Sequence, residues 1–454
     1  MAGAQAPAMD SHVFHKWGAG VDPDLPRIVD AEAEFLHTAD GDRIVDAAAG
    51  AAVVNLGHSL DVGEAYARQA ETLGYVSMSR FGADAPERLA ARLSDLTPGD
   101  LTATFFGTAG SEAVETAIKL AHAYHRERGR PEKAVVVSRW GSYHGATLGA
   151  LSAGGNTGRR EPFSPLLHRW PKIPPAYPYR WDYEGSPADQ AVAAARELET
   201  AIRREGPSTV AAFVLEPVSG ASIPGAHPHP AYFREVRRIC DEYDVLLIAD
   251  EVMTGFGRTG HRFAVERFEF VPDVLVLGKG LSSGYAPVSA AVVREPIASA
   301  FDARDGGTFG HGHTYFGHPP SAAVALEVLE QYTDEVIRAG RAAGERLGEA
   351  LAPLEDEPIV GDLRRCGLLA GIEFVADPDS KEPFDPDLNV AERVYDRALE
   401  AGVYVYPGGG SVDGVAGDHC MVAPPLTTSD DSIDRIGAVL REAIAAVAEA
   451  VGDS

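Results

Sequence analysis

Cysteine, lysine and long apolar runs are scarce in this 454-residue sequence, and each scarcity excludes a class of protein. The three cysteines, Cys240, Cys366 and Cys420, are odd in number and widely spaced. That predicts reduced thiols and no disulfide framework or metal site. No apolar run approaches the roughly 20 residues of a membrane span. Residues Met1 to Asp10 are small and polar and lack a basic-then-apolar leader pattern, so a cytoplasmic location is expected. Basic charge is short as well: 67 acids face 40 bases, a net charge of −27. Nucleic acid and anionic membrane both recruit basic surfaces, which excludes them as partners. An acidic, lysine-poor chain fits solubility at high salt, and it equally fits a genome that favours arginine and alanine. No Walker phosphate loop and no internal repeat occurs.

The six lysines are Lys16, Lys119, Lys133, Lys172, Lys279 and Lys381, and only Lys279 stands between glycines after an apolar strand. Val245-Leu246-Leu247-Ile248-Ala249 has no polar face, which predicts a strand buried on both sides and ending at Asp250. Glu251 and the glycine-rich run Gly255-Phe256-Gly257-Arg258-Thr259-Gly260 follow. A second apolar strand, Val274-Leu275-Val276-Leu277, ends in Gly278-Lys279-Gly280. An acid and an amine thus stand at the ends of two buried strands, where open parallel sheets bind ligands. Burial lowers the pKa of such an amine and suits it to covalent chemistry.

Three further strand ends carry polar groups. Phe105-Phe106-Gly107-Thr108-Ala109-Gly110-Ser111 reads as strand, tight turn and helix, the helix running from Ser111 to about Arg128. The unpartnered N–H groups at its start make an anion site. Ala134-Val135-Val136-Val137 is a strand leading to Tyr143 and His144, and Val210 to Leu215 is another, ending at Glu216. Phe35 to Thr38 and Arg43 to Asp46, joined by Ala39-Asp40-Gly41-Asp42, predict a hairpin. Residues 1 to about 30 read as irregular, and 154 to 185 as a long loop. His311, His313 and His318 cluster without a carboxylate or cysteine, and no metal is expected there.

The run from Asp250 to Gly260, then Pro272-Asp273, then Leu277-Gly278-Lys279-Gly280-Leu281, resembles the signature of class III aminotransferases, pyridoxal-phosphate enzymes of fold type I. The resemblance covers roughly residues 30 to 450. It implies a mostly parallel central sheet with helices on both faces, plus a smaller α+β domain built from the C-terminal part and the N-terminal segment. The expected divisions are residues 1–75, 76–330 and 331–454. The resemblance also implies that Lys279 joins pyridoxal 5′-phosphate as a Schiff base and that Asp250 pairs with the ring nitrogen, keeping it protonated so that the ring can absorb electrons. Gly110 and Ser111 would hold the phosphate, Tyr143 would stack on the ring, and His144, Glu216 and Val252 would border it. Thr314 would reach the phosphate of a partner subunit in a homodimer. Ala109 replaces a common serine and Phe316 another.

Small residues around Ala52 replace the bulky aromatic of aryl-amine enzymes. An arginine that receives substrate carboxylates stands three residues before Pro-Pro in the family, and here Met421 occupies that place before Pro424-Pro425. The expected reaction moves an amino group from an ω-amino acid or primary amine to a keto acid, with pyruvate favoured over 2-oxoglutarate and Arg159 or Arg160 as substitutes should 2-oxoglutarate be preferred. A 1,2-aminomutase of the glutamate-1-semialdehyde type is the alternative enzyme. A non-catalytic pyridoxal-phosphate-binding regulator is the alternative of another class.

Overall fold

In the computed structural model, residues 13–15, 20–21, 25–302 and 307–452 are described. Lys16, Pro7, Pro23 and the polar leader segment lie outside them. Seven strands form the central sheet in the spatial order Leu101–Gly107, Ser289–Arg294, Val274–Leu277, Leu246–Asp250, Val210–Leu215, Val135–Arg139, Lys172–Ile173. Only Ser289–Arg294 runs antiparallel to its neighbours; the other pairings are parallel.

Alternate residues of the central strands feed two separate cores. Phe213, Leu215, Leu247, Ala249, Leu275 and Leu277 enter one, together with the buried faces of helices Pro187–Glu205 and Ala231–Tyr243. Ala212, Val214, Leu246, Ile248, Val274 and Val276 enter the other, with helix Gly110–Glu127. A strand covered on both faces needs apolar residues at every position, which is why these runs carry no alternation.

Two smaller sheets flank this body. Val360–Cys366, Leu369–Phe374, Asp418–Val422 and Tyr406–Gly408 form an antiparallel sheet. The expected hairpin forms at Phe35–Thr38 and Arg43–Asp46, and Val403–Tyr404 pairs parallel to it, Val403 opposite Val45. The N-terminal segment and the C-terminal part therefore share one sheet.

Several local expectations are corrected. Val403-Tyr404-Val405-Tyr406 reads in the sequence as one strand, yet buried Val405 separates two short strands that join different sheets. Ile28–Glu32 is a strand at a sheet edge, and its exposed side chains gave no apolar signal. The loop over 154–185 contains helical turns at Thr157–Arg160, Glu161–Leu166 and Pro178–Arg180, besides the strand Lys172–Ile173.

Two buried charges of the glycine-rich run hold these parts together. Arg258 is completely buried and donates to the Leu368 carbonyl at 3.1 Å, to Asn55 Oδ1 at 2.8 Å and to the Pro424 carbonyl. Glu251 accepts from the Ala264 N–H at 2.8 Å, the Val265 N–H at 2.7 Å and the Thr254 hydroxyl at 2.8 Å. Burial outweighs those donors and pushes its carboxyl up to about 7. Between the ordinary carboxyl value and about 7 the folded chain therefore holds a proton that the unfolded chain has lost. The contribution of Glu251 to stability is full at acid pH and falls as pH rises through 7. Glu251→Gln leaves a donor facing an amide that cannot accept it, at a cost of about 1–3 kcal/mol. Scanning calorimetry is expected to find the variant melting a few degrees lower at pH 5, with the gap narrowing by pH 8.

Candidate active site

Each polar side chain picked out along the central sheet belongs to the residue that ends a strand or lies within a few residues after it, so they converge at one edge. One cavity there, of about 150 Å³, is lined by Gly110, Ser111, Tyr143, His144, Gly145, Glu216, Ala221, Asp250, Val252, Met253, Thr254 and Lys279. Asp250, Lys279, Glu216, Tyr143, His144, Val252, Gly110 and Ser111 are thus brought together. Thr314 is not: it is exposed and absent from this lining. His311, three residues before it, hydrogen-bonds with Thr116 at 2.9 Å and stacks on Phe105.

Asp250 is held from two sides. The Val252 N–H donates to Oδ1 at 3.1 Å and His144 Nδ1 to Oδ2 at 2.8 Å. The carboxylate thereby fixes the imidazole tautomer, with Nδ1 protonated. His144 Nε2 is buried and has no hydrogen-bond partner among the described residues. Glu216 accepts from the Gly220 N–H at 2.9 Å and the Tyr143 N–H at 3.2 Å. Burial, reinforced by the Asp250 charge, raises its carboxyl pKa; His144 and Arg139 oppose this.

Lys279 has a φ of +43°. That left-handed conformation is costly for a residue with a Cβ, and it persists only where the surroundings impose it. Its amine has no hydrogen-bond partner among the described residues. Desolvation brings its pKa down to about 8, against the pull of Asp250 and Glu216, and Arg159 and Arg258 depress it further. An amine in this range yields a free lone pair near neutral pH, as a lysine nucleophile requires.

The helix start suits an anion. Helix Gly110–Glu127 has no side-chain cap at Ala109. A Cβ on Gly110 would sit 2.9 Å from Val252 Cγ1, and one on Gly145 (φ +133°) 2.5 Å from Ser111 Oγ. These glycines let the backbone come close, and Ser111 Oγ accepts from the Ala146 N–H at 3.0 Å. Glu115 accepts from the Gly149 and Ala150 N–H groups and so anchors the next helix, Leu148–Ala153.

A helix start suited to an anion, a buried amine of lowered pKa and a carboxylate on the same cavity wall fit pyridoxal phosphate. Comparison with known proteins agrees. The family model Aminotransferase class-III matches residues 19–444. The uncharacterized aminotransferase YodT of Bacillus subtilis is 40% identical, over 93% of this chain and 95% of the relative. A putrescine–pyruvate aminotransferase of Pseudomonas aeruginosa is 34% identical, over 93% and 91%. Among solved structures, an (S)-enantioselective omega-transaminase from Thermomicrobium roseum aligns with a TM-score of 0.87 at 34% identity, covering 93% of each chain. An omega transaminase from Pseudomonas jessenii in complex with PMP gives 0.88 at 32%, covering 94% of each. The protein is a transaminase of the pyridoxal-phosphate fold. It belongs to the class-III aminotransferase family, whose cofactor is pyridoxal 5′-phosphate.

The sequence offered Arg159 only as a substitute receiver of a substrate carboxylate, not as a neighbour of Tyr143. Arg159 lies 4.4 Å from the centroid of the Tyr143 ring, at the end of a helical turn in a segment that read as loop. Its sequence context gives no sign of that position. Met421, expected at the substrate, is completely buried in the strand Asp418–Val422, between Leu369–Phe374 and Tyr406–Gly408. In cofactor-free protein, acylation of Lys279 by a small amine-selective reagent is expected to rise with pH about a midpoint near 8. Asp250→Asn is expected to move that midpoint lower, because the lost anion favoured the charged amine; a midpoint near 10.5 would contradict the geometry.

Proposed function

We propose that this transaminase takes its amino group from an ω-amino acid or primary amine and delivers it to pyruvate, with Lys279 as the proton-moving group and Asp250 as the partner of the ring nitrogen. The observation that carries the reading is the pairing, in one cavity, of an amine brought down to about 8 with a buried carboxylate fixed by His144 and the Val252 N–H.

Pyridoxal phosphate supplies an electron-poor ring that accepts the electron pair left when the substrate carbon loses its proton. The chain supplies the rest. Lys279 Nζ, once free, would take that proton from the substrate carbon and deliver it to the cofactor's C4′, a general acid–base role worth ~10²–10⁴-fold. Asp250 holds a positive ring nitrogen. Gly110 and Ser111 present N–H groups and a hydroxyl to the phosphate at the helix start. Tyr143 offers an aromatic face, and Glu216, which holds its proton more readily than a free acid, borders the ring.

The acceptor preference rests on the residue type at 421: a core methionine stands where an arginine would pair with the second carboxylate of 2-oxoglutarate, and it does not line the cofactor cavity. Thr314 is proposed to act in the partner subunit of a homodimer. Its exposure on the chain's surface, beside the exposed ring pair Tyr75–Tyr315 at 6.1 Å, supports this. The cytoplasm suits its three buried, unpaired cysteines. Among the described residues no helix is long and apolar enough to cross a membrane.

Lys279→Ala is expected to lose turnover by at least ~10²-fold, while Asp250→Asn retains cofactor and exchanges amino groups slowly; normal turnover in the lysine variant would refute the assignment. An amine-donor panel run against pyruvate and 2-oxoglutarate tests the substrates. Faster exchange with pyruvate is expected. A requirement for no keto acid at all would favour the aminomutase instead.

A further inference from the structure

What holds Lys279 in its left-handed conformation is found one residue further on. The Gly280 carbonyl accepts from the Ser283 N–H at 3.2 Å and from the Tyr332 hydroxyl at 2.7 Å. Tyr332 directly follows helix Pro319–Gln331, and its ring packs against Phe256 of the glycine-rich run. Asn55 closes off Gly280 as well: a Cβ there would lie 2.6 Å from Asn55 Nδ2. Asn55 is itself fixed, its Oδ1 by Arg258 at 2.8 Å and its Nδ2 by the Phe256 carbonyl at 3.1 Å. Tyr332, Asn55 and Arg258 are all buried.

The turn from Gly278 to Ser283 is short, and Lys279 and Ser283 both have positive φ, +43° and +48°. Left-handed geometry is uncommon for residues with a Cβ. Within the turn, the Leu281 N–H donates to the Gly278 carbonyl at 2.9 Å and the Ser282 N–H to the Lys279 carbonyl at 3.2 Å. Bonds of that span also close ordinary right-handed turns, so they do not select the left-handed form. Groups from distant segments must select it. The Tyr332 hydroxyl comes from 52 residues along the chain. Burial raises its phenol pKa, against the pull of Arg258, so it keeps the proton that it donates. The strand Val274–Leu277 fixes the chain before Lys279, and Tyr332 fixes the carbonyl after it. The residue between is held from both sides, and with it the direction of its side chain.

We propose that Tyr332 is a positioning residue: its hydroxyl, acting through the Gly280 carbonyl, holds Lys279 in the left-handed conformation that keeps the amine in the cofactor cavity. Asn55, oriented by Arg258, fills the space into which the turn would otherwise relax. This rests on the reading of Lys279 as the reacting amine and names what holds it there.

Tyr332→Phe removes the hydroxyl and keeps the ring. Amide hydrogen exchange on holoenzyme, read by mass spectrometry, is expected to quicken about 3- to 10-fold over residues 279–283, the worth of one hydrogen bond. Exchange in strand Val210–Leu215 is expected to stay as it is. In cofactor-free full-length protein the acylation midpoint of Lys279, near 8 in the wild type, is expected to rise, because an amine that swings out regains water and binds its proton more tightly. Unchanged exchange over the turn, or a midpoint that does not rise, would overturn the proposal. So would a variant that fails to fold, or one that exchanges faster by the same factor in Val210–Leu215, since Tyr332 would then be a packing residue alone. Neither measurement depends on turnover. Failure of the parent reading is separately visible as normal turnover in Lys279→Ala, and that result overturns both.

Discussion

An amine and a carboxylate end neighbouring parallel strands, and the desolvation they share sets what each can do. Register places Asp250 opposite Val276, so the chain continuing from Leu277 brings Lys279 to the same edge. Burial penalises both charges. The amine answers by releasing its proton more easily. The carboxylate is instead given donors, the His144 ring and the Val252 N–H. A cationic ring nitrogen would complete its set of partners, so the site is organised to receive charge that its cofactor brings.

The scaffold around this edge uses buried charge for a different purpose. Arg258 and Glu251 lie in the same sequence motif as Asp250, yet their partners are carbonyls, N–H groups and side chains of the chain itself. Removing one member of such a network leaves a buried polar group without a partner, which costs more than the bond contributes on average. Arg258 bonds to residues from both ends of the chain, Asn55 and Pro424 among them. The motif that marks the chemistry thus also locks the N-terminal segment and the C-terminal part against the large sheet.

The cleft that opens beside the cofactor cavity is built differently. Aromatic rings from Tyr395, Tyr404 and Tyr406 and the turn bearing Arg159 come from segments far apart in sequence. Long, aromatic and cationic side chains on short elements can be repositioned without disturbing the sheet, whereas a shift at Lys279 or Asp250 would move a strand end. Such a division lets one fold accept different amines while its proton chemistry stays in place.

Unbroken apolar runs made the central strands legible, since a strand covered on both faces cannot afford polar positions, and the acids and lysine that end them stood out by contrast. The helix at Gly110–Glu127 was legible through its 3.6-residue period and its glycine–serine start. Local patterning failed where partners were distant. The exposed edge strand Ile28–Glu32 has no apolar face of its own, and Val403 to Tyr406 divides between two sheets because its neighbours differ on either side of Val405. By itself, then, the sequence determined the strand–loop–helix order and the identity of the residues at the sheet edge, because those follow from short-range periodicity. Only the tertiary structure decided that His144 bonds to Asp250, that Met421 is a core residue and that Arg159 lies over Tyr143, because each depends on contacts between segments that no local pattern relates.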